Sequence, residues 1–335
     1  DDLTPLRALT SETLEANLAL LPARDAVMTT SGGMSWFTGS DEFSGRNPPE
    51  AASIFFYQKK RHIFGDLKIE IYDSEGELIT TISAPKVKGL NRADWPMRLP
   101  PPKLPPATNL VFAFYGPRVP EGEYTFKLIK GKDTYEGKVN LVPDPRSPHS
   151  AEDRKLQQET ALELYRALED LTYLIDTLID VRDQAKARGE EAGGKGSLFN
   201  KLEAYRDDVE AFRGSLVSTA ESGWISGDEK LREKMGNLFG GIVGYDGRPT
   251  QSQLDRKDVL IKQLRTAEAR FEELTTGREL SSLNSQLQGR SLETIGVMSR
   301  EEWEESQESS GSSSGVSAKR LAGILSSRAL MPLGF

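Results

Sequence analysis

Residues 151–189 read AEDRKLQQETALELYRALEDLTYLIDTLIDVRDQAKARG, and how this stretch is parsed decides how the rest of the chain is parsed. Ala161, Leu164, Leu168, Leu171, Ile175 and Leu178 recur at spacings of three and four, which sets them on one face of an α-helix. Leu174, Ile179 and Val181 widen that face, so the helix is expected to have neighbours on more than one side. Ser150 precedes it, with Asp153 three positions on. That is a capping-box arrangement: the hydroxyl accepts an orphan amide and the carboxylate meets the positive end of the helix dipole. The pattern dissolves in the glycines between Arg188 and Ser197. A seam of this length predicts the spine of a helical bundle.

Three further helices are expected downstream. Leu198, Leu202, Tyr205, Val209, Phe212 and Leu216 repeat at four and three; Leu231, Met235, Leu238 and Ile242 form a shorter version. After Arg248-Pro249, Thr250 and Gln253 make a second capping box, opening a helix that carries Leu254, Ile261, Leu264, Phe271 and Leu274. Linkers at 189–197, 221–227 and 244–249 are short enough for antiparallel neighbours, so residues 150–279 read as an up-down, antiparallel four-helix bundle. Residues 280–335 read as a low-complexity linker, Ser- and Gly-rich over Ser306–Ser317, and a C-terminal amphipathic segment holding Leu321, Ile324 and Leu325.

Upstream the period is two. Ser53–Tyr57 is a compact apolar run, and Leu67, Ile69 and Ile71 alternate with Lys68 and Glu70. Asp73-Ser74-Glu75-Gly76 supplies a turn into Glu77–Ile82. Gly89–Trp95 leads into a proline-rich loop, Leu99–Pro106; Leu110, Phe112 and Phe114 then alternate, followed by Tyr124, Phe126 and Leu128, and by Tyr135, Val139 and Leu141. Short strands with regular turns predict a β-sandwich over 46–145. Prolines at 143, 145 and 148 end the sheet. Residues 1–45 lack a sustained period and read as an extended connector running over a neighbouring surface.

Composition narrows the function classes. A net charge of −8 and an acidic pI argue against nucleic acid or an anionic membrane as a general partner. The chain has no cysteine, which excludes disulfides, zinc–thiolate sites and thiol nucleophiles. It has no apolar run long enough to span a bilayer.

The motifs that suggest chemistry are weak. Gly189–Ser197 matches a phosphate-binding loop up to Lys195, but Gly196 stands where the magnesium-binding hydroxyl is required and no strand precedes it, so it reads as an inter-helix linker. His62 and His149 lie in different segments without ligand spacing. Asp41, Glu42, Asp66 and Asp94 sit on loops, and no pair is singled out for acid–base work on a glycan. No catalytic, cofactor-binding or metal-ligating residue is assigned. The aromatic residues Trp36, Phe37, Phe43 and Trp95 are the candidate interaction surface, either stacking on a sugar or packing on a neighbouring domain.

An ordered series of short motifs adds a resemblance: Leu3-Thr4-Pro5-Leu6-Arg7, Gly45-Arg46-Asn47-Pro48-Pro49, Gly89–Trp95, Val119-Pro120-Glu121-Gly122-Glu123-Tyr124, Pro143-Asp144-Pro145-Arg146 and Arg248-Pro249-Thr250. The series resembles the C-terminal region of bacterial sortilin-like, BNR-repeat β-propeller proteins, often labelled glycosyl hydrolases. The resemblance implies that Asp1-Asp2-Leu3 is the exit from an N-terminal β-propeller, in the same or a separate chain. It also implies an immunoglobulin-like sandwich followed by a helical bundle, in an extracytoplasmic (periplasmic, secreted or cell-surface) protein. Pro96 departs from the pattern, which commonly has Asp after Trp95. The expected function is a non-catalytic accessory region that offers binding surface to other proteins or a glycan. Two alternatives stand beside it. One is part of a glycoside hydrolase or lyase with its active site in or against a propeller, borrowing Trp36, Asp41 and Glu42. The other is an assembly subunit docking through its C-terminal tail.

Overall fold

The structure, a computed structural model, describes residues 2–29, 49–105, 107, 111–219 and 229–310. The chain divides into a β unit (Asp1–Pro100 with Arg118–Ser150) and a helical unit (Pro101–Pro117 with Ala151–Gln307).

In the β unit two short helices, α1 (Thr4–Arg7) and α2 (Ser11–Glu15), precede eight strands. The strands are β1 (Leu18–Leu21), β2 (Ala26–Met28), β3 (Ala52–Gln58), β4 (Leu67–Tyr72), β5 (Leu78–Ser83), β6 (Gly89–Trp95), β7 (Gly122–Lys130) and β8 (Asp133–Pro143). They form a three-stranded sheet in the order β1-β3-β6 and a five-stranded sheet in the order β2-β8-β7-β4-β5. Among the described residues, only β2 with β8 is a parallel pair. Alternation puts Ala52, Ile54 and Phe56 inward from one sheet and Ile69, Ile71, Leu128 and Leu141 inward from the other, all buried. Trp95 of β6 meets Tyr124 of β7 edge-to-face, 5.1 Å between ring centres, so the two sheets share one sandwich-like core.

Two expectations for this region are corrected. Within the stretch read as connector, Leu18–Leu21 and Ala26–Met28 are strands that add an edge to each sheet, whereas 30–45 lie outside the described residues. Gly89–Trp95, read as a lead-in to a loop, is a full strand. Its inward positions are Asn91, Ala93 and Trp95 and its outward ones Arg92 and Asp94, so its alternation is poor in large apolar residues.

The helical unit contains α3 (Ala151–Glu191), α4 (Ser197–Leu216), α5 (Leu231–Val243), α6 (Gln251–Thr276), α7 (Arg278–Gln288) and α8 (Arg300–Ser310). The α3 seam read from the sequence is buried along its length. The glycine linker is a tight turn, with Gly193, Gly194 and Gly196 at φ 100°, 65° and 94°, conformations that L side chains rarely adopt.

The helices do not form an up-down four-helix bundle. Gly189 backs onto Phe199 and Arg182 reaches Glu210, so α4 runs antiparallel along the C-terminal half of α3. Gln157 Nε2 donates to the Ile242 carbonyl at 2.8 Å and Tyr165 meets Phe239, so α5 runs in the same sense as α4 along the N-terminal half. Lys257 pairs with Glu163 and Tyr173 meets Phe271, which makes α6 parallel to α3. The reason is length: a helix of 41 residues spans about 62 Å, room for α4 and α5 end to end.

The C-terminal boundary also moves. Residues 278–307, expected to be mostly linker, add α7 and α8 and bury Leu280, Leu283, Leu287, Ile295 and Trp303. The Ser317 end of the expected linker and the amphipathic segment beyond it lie outside the described residues.

Residues 101–117, placed by the sequence within the sandwich, belong to the helical unit. Val111 and Ala113 are buried while Phe112 and Phe114 are exposed, the reverse of the alternation expected; Leu110 lies outside the described residues. Gly236 and Gly240 of α5 explain this, because the space where their side chains would stand is filled by Val111 and by the Phe112 backbone.

Candidate functional site

Residues 59–66 read Lys-Lys-Arg-His-Ile-Phe-Gly-Asp and link β3 to β4. At the same end of the β unit, residues 84–88 link β5 to β6, and Gly131-Lys132 turns β7 into β8; the registers Gln58↔Gly89 and Leu67↔Lys130 bring the three connections together.

Short bonds fix the two longer connections. His62 N donates to the Lys86 carbonyl at 3.0 Å, and Lys86 Nζ donates to the Gly65 carbonyl at 2.8 Å. Gly65 takes φ 79°, which lets the chain reverse after Phe64. Beneath them, buried Gln58 and Asn91 both donate to the Val87 carbonyl, at 3.2 and 2.9 Å. Lys59 N is held by the Asn17 carbonyl, and Lys59 Nζ by Glu15 at 2.7 Å, a bond that holds the Glu15 carboxyl below its usual range.

On this fixed base the side chains split by type. Phe64 is 85% exposed, Ile63 70% and Val87 54%; Phe64 and Ile63 are the two most exposed of the large apolar residues described in the β unit, ahead of Leu3, Leu6, Leu14, Val27 and Leu90. Lys60, Arg61, Lys86 and Lys88 are exposed around them, and Lys130 and Lys132 lie on the neighbouring hairpin. Among the described residues, Lys60, Arg61 and Lys88 make no ion pair. Asp66 is the carboxylate within these connections, and Asp133 opens β8 beside them. Scattered exposed hydrophobics are ordinary, but two adjacent ones at a loop tip beside exposed cations mark a candidate interaction surface.

The expected surface residues fare differently. Trp36, Phe37 and Phe43, with Asp41 and Glu42, lie outside the described residues. Trp95 is 0% exposed and belongs to the core, so it takes no part in a surface. Asp66 and Asp94 sit at opposite ends of the β unit, and Asp94 is engaged by Ser53 and Arg92. No group of His, Asp and Glu suited to a metal ion occurs among the described residues.

A second polar cluster lies within the helical unit and was not anticipated. Arg300 bonds Asp170 and Glu304, both at 3.0 Å, and stacks on Tyr173 and Trp303. Trp303 Nε1 donates to Asp176 at 2.9 Å, Tyr173 Oη to the Met298 carbonyl, and Thr172 Oγ1 to the Lys103 carbonyl. Burial pushes the Glu169 carboxyl up, against a hydrogen bond from Tyr165 and the charges of Lys103 and Arg300. Burial likewise raises Asp170 and Asp176. These groups tie residues 101–105 and 289–307 to α3, so the cluster is a clasp. A cavity of about 400 Å³ also lies between α4, α5 and α6, floored by Phe212, Leu216, Leu231 and Ala267; Arg270 on its wall is taken up by Asp208 and Glu273, both at 2.6 Å.

No family model and no curated protein matches the chain. A solved structure that aligns with it is CopC from Methylosinus trichosporium OB3b, at 15% identity over 40% of this chain and 99% of that one, with a TM-score of 0.21. That score is too low to carry an argument about fold or function. No described helix is long and apolar enough to cross a membrane.

Proposed function

We propose that this chain is a non-catalytic accessory region of an exported β-propeller protein, and that it docks through the basic, apolar-tipped end of its β unit. The observation that carries the docking reading is the placement of Ile63 and Phe64 within unpaired Lys60, Arg61 and Lys88 on hydrogen-bonded loops, in a chain of net charge −8. The propeller and the exported setting rest on the ordered motif series.

The sandwich itself reads as immunoglobulin-like. Tyr124, near the start of β7, donates its hydroxyl to the Pro120 carbonyl at 2.8 Å, the arrangement of a tyrosine corner.

Two measurements test the proposal. The chain is expected to be retained on a sulfonated cation exchanger at neutral pH despite its negative net charge, and Lys60→Glu/Arg61→Glu/Lys88→Glu to pass through. Equal elution of the two proteins would refute docking through this end. Incubation with a panel of glycans is expected to release no product; turnover would refute the non-catalytic reading.

A further inference from the structure

We infer that the partner of this end of the β unit is an anionic phospholipid surface. Ile63 and Phe64 enter the boundary between headgroups and acyl chains, while Lys60, Arg61 and Lys88 meet lipid phosphates. The inference rests on the docking reading above and names its partner class.

Three observations favour a lipid surface over an acidic protein. First, side chains as exposed as Phe64 and Ile63 stand clear of the domain. A protein partner would need a preformed pocket for such a protrusion, whereas a fluid interface accepts it without shape matching. Secondly, the exposed cations Lys60, Arg61 and Lys88 come from separate connections, 59–66 and 84–88, and make no ion pair among the described residues. That arrangement suits a diffuse negative potential more than a single bidentate contact. Thirdly, the tip is held from beneath by the bonds to the Lys86, Gly65 and Val87 carbonyls. A wedge so braced loses little conformational freedom on insertion.

A net charge of −8 disfavours an anionic membrane for the chain as a whole but not for this end, because a sum over 335 residues averages out a local patch.

The test is co-sedimentation of the full chain with vesicles of phosphatidylcholine alone or mixed with phosphatidylglycerol, with soluble polyglutamate as the acidic polypeptide probe. Binding is expected only to the phosphatidylglycerol vesicles, weakening as salt is raised. Ile63→Ser/Phe64→Ser and Lys60→Glu/Arg61→Glu are each expected to lower it by about tenfold or more. All four residues are exposed apart from the fold's core, and unchanged thermal melts will confirm that the variants fold. If the vesicles fail to bind while retention on the cation exchanger persists, the lipid assignment is overturned and the docking reading stands; if both fail, both are overturned. Equal binding to the two vesicle types, or polyglutamate binding tighter than vesicles and indifferent to Ile63→Ser/Phe64→Ser, also overturns the lipid assignment.

Discussion

Replacing Gly240 by alanine sets two effects of opposite sign against each other. Gly240 and Gly241 are adjacent in α5, and alanine in a helix interior is favoured over glycine by about 1 kcal/mol. At Gly241 nothing opposes the gain: the position is exposed, and a Cβ there would meet only Gln253 Nε2, at 3.9 Å. At Gly240 the Cβ would land on the Phe112 carbonyl oxygen and lie 2.7 Å from both its carbonyl carbon and its Cβ. A backbone carbonyl cannot rotate aside as a side chain can, so residues 111–113 must lift off α5 and Val111 loses its buried site. Overpacking of this kind costs about 1–3 kcal/mol. Gly240→Ala is therefore expected to destabilise the helical unit by up to about 2 kcal/mol net, and Gly241→Ala to stabilise it by roughly 0.5–1 kcal/mol. Urea unfolding followed by far-ultraviolet circular dichroism gives both values, provided the helical transition is fitted by itself. If Gly240→Ala proves as stable as Gly241→Ala, the docking of residues 111–113 on α5 is wrong.

The clasp and its buried carboxyl give two more outcomes. Trp303→Ala removes a nearly fully buried ring and the Asp176 bond, and is expected to cost about 3 kcal/mol; amide exchange should quicken over 292–306, and unchanged protection there would refute the clasp. The Glu169 carboxyl is raised in the fold above its ordinary 4.5, so the folded state holds that proton more tightly than the unfolded chain does. Its stabilising contribution is complete below about 4.5 and is lost as pH rises through the raised value. Glu169→Gln is expected to flatten that fall in the urea midpoint, and identical pH slopes in both proteins would refute the assignment.

Much of the secondary structure was legible because it is written in local periods. The α3 seam, the Thr250–Gln253 capping box and the β4 alternation each depend on neighbours within a few residues, and each stands in the structure as read. Where local pattern and packing disagree, the pattern misled. Phe112 and Phe114 alternate like a strand, yet the glycines of α5, more than a hundred positions on, accept Val111 and leave the phenylalanines outside. Asn91 and Ala93 give β6 little apolar alternation, since Trp95 is the one large apolar side chain on its inward face.

The sequence by itself determined which residues are helical or extended across most of the chain, and where the period changes from two to 3.6. Tertiary structure decided how the helices are arranged, because α3 is long enough to seat α4 and α5 in tandem, a fact of length and direction that no single seam records. It also decided the candidate site. Lys60, Arg61, Ile63 and Phe64 are one short loop among many in the sequence. Strand register gathers Lys88 and the β7–β8 hairpin beside them, and hydrogen bonds to backbone carbonyls hold the tip out. Charge and apolarity act through space, so a surface that a net charge of −8 conceals becomes visible only when the chain is folded.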